Sequence, residues 1–177
     1  MAIQWRAFPL HPEIPEDGLL IEKLFARYPV NVKEIVRNLK KTADGLGLPF
    51  GEQKMVYNSR LAQEMGLWAE SKAKGDAFHM AVFHAYFVEG ENIAKIPVLL
   101  DIASSFGLPL KEAEEMLTAR SFKAAVDDDW ALSKKKMITA VPTFFYNQEK
   151  LVGAQPYEKL KNFIEKNGDL QKTKPGD

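Results

Sequence analysis

The chain has 177 residues, 46% hydrophobic and 27% charged, with 24 Lys plus Arg against 24 Asp plus Glu. That composition suits one globular domain, excludes a fibrous or compositionally disordered chain, and offers no global field for nucleic acid or an anionic membrane. Cysteine is absent, which excludes disulfides, thiolate metal sites and a cysteine nucleophile within these residues.

The opening Met1-Ala2-Ile3-Gln4-Trp5-Arg6 lacks the basic-then-apolar order of a signal peptide. No apolar run reaches the ~18–20 residues that span a bilayer, so the expected compartment is the cytoplasm. Ile3 to Leu10 reads as a short strand, with Ile3, Trp5 and Ala7 on one side and Gln4 and Arg6 on the other. Pro9, Pro12 and Pro15 end it and hold an extended loop.

Helical periodicity then dominates. Leu20, Ile21, Leu24, Phe25 and Tyr28 recur at helical spacing up to Pro29. Asn31 with Glu34 forms a capping-box pattern before the stripe Val32, Ile35, Val36, Leu39, Ala43 and Leu46. Ser59 is a candidate cap for a helix carrying Leu61, Met65 and Trp68. A helix through Ala77 to Val88 has Phe78, Val82, Phe83, Tyr86 and Phe87 nearly encircling it, so deep burial is expected. Gly107 reads as the residue just past a helix end and Pro109 as the first position of the next helix. A further helix through Phe122, Val126 and Trp130 ends in Lys134-Lys135-Lys136, cations that complement the helix dipole.

The pattern changes at Thr143. Thr143 to Tyr146 is β-branched and aromatic, Asn147-Gln148-Glu149 reads as a turn, and Lys150 to Val152 as a second strand. Gly153-Ala154-Gln155-Pro156 leads into a last helix with Leu160, Phe163 and Ile164 inward, stopped at Asn167-Gly168. The polar tail from 168 to 177 reads as disordered.

Three segments resemble the DsbA-like branch that includes FrnE and the 2-hydroxychromene-2-carboxylate isomerases. They are Trp5 to Pro12, then Asn58-Ser59 with Tyr86 to Ile93, then Val141 to Phe145 with Leu151 to Pro156. The resemblance implies an α/β, thioredoxin-like (DsbA-type) fold. It would be one domain over 1–167 with a helical insertion at about 18–138, incomplete at its N-terminus. The family's first strand and Cys-Pro-x-Cys helix have no counterpart, since Met1 is followed almost at once by what looks like the second strand. Either an upstream segment carries the motif, or the chain is naturally short and has lost the chemistry. The retained C-terminal loop favours the first. A missing central strand would also leave open edges, which a homodimer could close.

By the same resemblance, Val141 and Pro142 are the candidate substrate-binding residues. The bond between them is expected to be cis, with the Val141 backbone free to pair with an extended strand. The base rate alone favours trans; Gly153 to Pro156 at the family's distance tips the reading to cis. The implied partner is a thiol-containing protein or peptide, with glutathione as an alternative, and the implied activity is thiol–disulfide exchange or disulfide isomerisation. As given, the chain has no catalytic residue for it and is expected to be redox-inactive. A glutathione-dependent isomerase-like enzyme and a non-catalytic peptide-binding module are the competing readings. No cofactor, metal, nucleic acid or membrane partner is expected.

Other clusters favour bland readings. His79 and His84 are five apart, about 140° around a helix, so they do not share a face for zinc. His11 reads as structural. Asp127-Asp128-Asp129 reads as a solvated helix face.

Overall fold

A computed structural model describes residues 3–168. The chain divides into two compact units, Met1–Asp129 and Trp130–Asp177. The expected tail from 168 on lies outside the described residues except for Gly168, which ends the last helix.

Helices are the main regular structure of the first unit. Its elements are β1 (Leu19–Leu20), α1 (Ile21–Leu24), α2 (Val32–Gly45), β2 (Met55–Val56), α3 (Arg60–Ser71), α4 (Gly75–His84), a π-helical turn (Ala85–Glu89), α5 (Ile96–Ser105) and α6 (Leu110–Ala119). Helix α7 (Lys123–Lys135) runs across the division into the second unit. Strands β1 and β2 pair antiparallel over two residues each.

Local chemistry accounts for several helix ends. The Asn31 side chain accepts from the Glu34 amide at 3.2 Å and caps α2. Gly107 (φ 67°) follows α5; its amide donates to Ser104 O, and the Leu108 amide donates back to Ala103 O. These are the two bonds that satisfy the last carbonyls of a helix ending in a left-handed residue. Ser59 does occupy the position before α3, but its side chain makes no cap bond. Asn58 Oδ1 instead accepts from the Arg60 amide. Pro109 sits one residue before the start of α6.

The core lies among α3, α4, α5 and α6. Met65 and Ala69 of α3, Phe78 of α4, Leu99 and Ala103 of α5, and Ala113 and Leu117 of α6 are all fully buried. On α3, α5 and α6 they recur at four-residue intervals, so each of these helices turns one apolar face inward. Glu64 is equally buried on α3, with no exposed surface. Arg120 donates to both of its oxygens and Arg60 to one. Burial alone would raise its pKa, but the hydrogen bonds from Arg120 and Arg60 outweigh that and hold it below the usual carboxylate range.

Four expectations are corrected here. Ile3 to Leu10 is not a strand, because nothing among the described residues pairs with it. It is held by side chains instead. Trp5 packs 5.2 Å from the His79 ring and donates to Asp76, and Gln63 donates to Phe8 O. The helix expected from Leu20 to Tyr28 shrinks to α1, since Leu19–Leu20 is drawn into pairing with β2. Asp129 is not on a solvated face: it is buried, accepting from Arg6 and from the Ala7 amide. Helix α4 is not buried all round either. Phe78 and Val82 are in the core, but Met80, Phe83 and Phe87 are exposed. Beyond His84 the helix widens into the π turn, where Phe87 O accepts from the Gly51 amide and Gln53 Nε2. No helix among the described residues is long and apolar enough to cross a membrane.

The second unit contains the end of α7, strands β3 (Thr143–Tyr146) and β4 (Glu149–Val152), and helix α8 (Tyr157–Gly168). α7 ends as α5 does, with Met137 (φ 52°) in the place Gly107 takes there: Met137 donates to Lys134 O and Ile138 to Ser133 O. The turn between the strands is Asn147-Gln148 alone, one residue shorter than the sequence suggests, and β4 begins at Glu149. Both turn residues have positive φ, 51° and 85°. That backbone twists with the strands it joins.

Candidate functional site

The candidate site is built on the hairpin. Its register pairs Thr143 with Val152, Phe144 with Leu151, Phe145 with Lys150 and Tyr146 with Glu149. A two-residue turn closes on a hydrogen-bonded pair, and such pairs then alternate along the ladder. Tyr146 and Phe144 therefore turn their backbone groups toward β4. The alternation continues to Pro142, whose carbonyl accepts from the Gly153 amide at 2.7 Å. Thr143 and Phe145 accordingly turn N–H and C=O to the outer edge of β3, which no strand among the described residues covers.

Val141 and Pro142 stand at the entrance to that edge, side by side. The peptide bond between them is cis. Val141 is exposed, and its backbone N–H and C=O have no hydrogen-bond partner among the described residues. The loop is fixed from both sides. Thr143 Oγ1 donates to Ala140 O at 2.6 Å, and Gln155 Nε2 donates to Val152 O at 2.8 Å. Gly153 holds φ 87°, a conformation that glycine adopts without the steric cost a side chain brings.

The two faces of the hairpin differ in charge. Thr143, Phe145, Lys150 and Val152 share one face because directly opposed and alternate residues point the same way. Lys136 places its ammonium 4.4 Å from the Phe145 ring centroid. Lys150 Nζ donates to Met137 O at 3.2 Å. Neither lysine stands out in the sequence as part of this surface. Lys136 reads there as the last of a helix-end run, and only the hairpin register puts Lys150 opposite Phe145.

The remaining titratable residues do not converge. His79 lies 3.2 Å from Glu70, His84 3.5 Å from Glu89, and His11 3.4 Å from Glu13. Asp127 pairs with Arg60 and Lys123, and Asp129 with Arg6. No group of three potential metal ligands occurs among the described residues.

A β-hairpin followed by a helix, with a cis-proline at its entrance, is the C-terminal part of a thioredoxin-like fold. The chain belongs to the DSBA-like thioredoxin domain family, whose model matches residues 1–165. Its fold is the DsbA type with a helical insertion. The crystal structure of a probable DsbA oxidoreductase from Streptomyces coelicolor is similar over 97% of this chain and 76% of that one, with 20% identity and a TM-score of 0.86. The cytosolic disulfide reductase DsbM from Pseudomonas aeruginosa, solved with GSH, is similar over 68% of each chain, with 26% identity and a TM-score of 0.54.

Proposed function

We propose that the Val141-Pro142 loop is the docking point for an extended, thiol- or disulfide-bearing protein segment, in a FrnE-like relative of the disulfide oxidoreductases and isomerases. The observation that carries this reading is the exposed Val141, whose backbone N–H and C=O have no partner among the described residues, beside its cis bond to Pro142. Free backbone groups of this kind accept an extended segment through main-chain bonds. Exchange itself needs an attacking thiolate, and the 177 residues contain no cysteine. The role proposed for these residues is therefore binding, with the thiols supplied from outside them, and the proposed setting is the cytoplasm.

A second reading is glutathione binding at the same loop. It is favoured by the likeness to DsbM, a protein solved with GSH. The tripeptide's backbone would pair with Val141 as a short strand does.

Amide hydrogen exchange followed by NMR tests the docking reading. In the free protein the Val141 amide should exchange fast, while Phe144 and Tyr146, bonded to β4, exchange slowly. Adding an extended peptide should protect Val141. A Val141 amide that no extended peptide protects would overturn the docking reading. Glutathione that protects Val141 where peptides do not would favour the second reading.

A further inference from the structure

A trans peptide unit is planar, and its C=O and N–H point in opposite directions. The bond between Ala140 and Val141 is trans, so the free N–H of Val141 shares a plane with the Ala140 carbonyl. Whatever holds that carbonyl aims that N–H. Thr143 Oγ1 holds it, donating to Ala140 O at 2.6 Å. The next plane but one is held in the same way. Pro142 O accepts from the Gly153 amide at 2.7 Å. That amide shares its own plane with the Val152 carbonyl, to which Gln155 Nε2 donates at 2.8 Å. The Val141 carbonyl lies between the two clamped planes. Resting on the docking reading above, we infer that Thr143 and Gln155 are the positioning residues of the docking loop, fixing by their side chains the direction in which the Val141 backbone meets an incoming segment.

Both side chains are half-buried and reach back three residues to a carbonyl, a local side chain to backbone bond of the kind that shapes turns. Their value lies in what they order beforehand. A loose loop would offer the Val141 groups in many directions, and pairing would carry the entropy of fixing one of them. Here that direction is set before a segment arrives. An N–H whose own carbonyl already accepts a bond is also the better donor, since linked hydrogen bonds polarise one another. The hydroxyl of Thr143 does this work, and its β-branched shape does not. Valine in its place would keep the strand preference of the position and leave Ala140 O unheld.

The test is an NMR titration of the isotope-labelled protein with the peptide Ser-Thr-Val-Cys-Thr-Val-Ser, its thiol methylated. Thr143→Val and Gln155→Leu should each weaken binding about fivefold, the effect of one lost hydrogen bond. Thr143→Ser keeps the hydroxyl and should bind like the native protein. In Thr143→Val with peptide bound, the Val141 amide should exchange faster than in the native complex, while the Gly153 amide, bonded to Pro142 O, keeps its protection. That pair of amides separates a plane that has lost its aim from a loop that has lost its fold. A Thr143→Val or Gln155→Leu protein that binds like the native one, or a Thr143→Ser protein as weak as Thr143→Val, would overturn the positioning role and leave the docking loop standing. Loss of Gly153 protection in peptide-free Thr143→Val would overturn it as well, since the hydroxyl would then hold the fold of the loop. Failure of the peptide to bind the native protein would overturn the docking reading, and the positioning role with it.

Discussion

Arg120 donates from Nε and Nη2 to the two oxygens of Glu64, at 2.8 and 2.6 Å, from a backbone held at φ 53°. The left-handed turn after α6 is what lets the guanidinium fold back onto α3, where Arg60 closes the same carboxylate from the other side at 2.8 Å. Replacing Glu64 by Gln keeps the shape and removes the charge that both arginines answer. Removing one partner of a buried pair typically costs ~3–5 kcal/mol. Arg60 and Arg120 keep some access to water, so the expected loss is at the lower end, about 3 kcal/mol. Urea unfolding of native and Glu64→Gln proteins at pH 7 measures it.

The same carboxylate makes stability depend on acid. Its folded pKa lies below its unfolded value of about 4.3. The stability it contributes is therefore complete above that unfolded value and is lost as pH falls through the depressed folded value. The urea midpoint of the native protein should begin to drop as pH falls below the unfolded value and go on dropping through the depressed folded one. The drop should be smaller in Glu64→Gln, and equal drops in the two proteins would mean other carboxylates carry the acid sensitivity.

Gly51 is required by a close approach. A Cβ there would collide with Val88 O, in the π turn whose Phe87 carbonyl takes the Gly51 amide. Backbone cannot step aside as a flexible side chain can. Gly51→Ala should cost about 2 kcal/mol by overpacking, read as a lower melting temperature. Gly45, with open space at the Cβ position, is the control: Gly45→Ala should be neutral or stabilising.

Two strained positions in the second unit should respond in the opposite direction. Met137 and Gln148 hold φ 52° and 85° without being glycine. Left-handed backbone costs a residue with a side chain roughly 1–2 kcal/mol. Met137 is largely exposed, so its side chain gives up little packing on removal. Met137→Gly should stabilise the end of α7, and Gln148→Gly the hairpin turn, each by about 1 kcal/mol. Thermal unfolding monitored at the hairpin amides distinguishes the two effects.

Features that depend on a few neighbouring residues are legible in the amino-acid sequence alone. The Asn31 cap with Glu34, the glycine end at Gly107, the hairpin from Thr143 to Val152 and the absence of cysteine are all of this kind, because caps, turns and thiol chemistry are set by local backbone preference and residue identity. Tertiary partners decided the rest. Ile3 to Leu10 has the alternation of a strand, yet a strand exists only where another backbone answers it, and here Trp5 and Ala7 are answered by Asp76 and Asp129 side chains. Asp129 is buried because a segment more than a hundred residues upstream folds onto it. Lys136 and Lys150 share the Phe145 face only once the turn fixes the register and α7 ends beside it. Amino-acid order determined which groups this chain can offer; which of them are covered, and which stand together at an open edge, followed from long-range packing that no local pattern encodes.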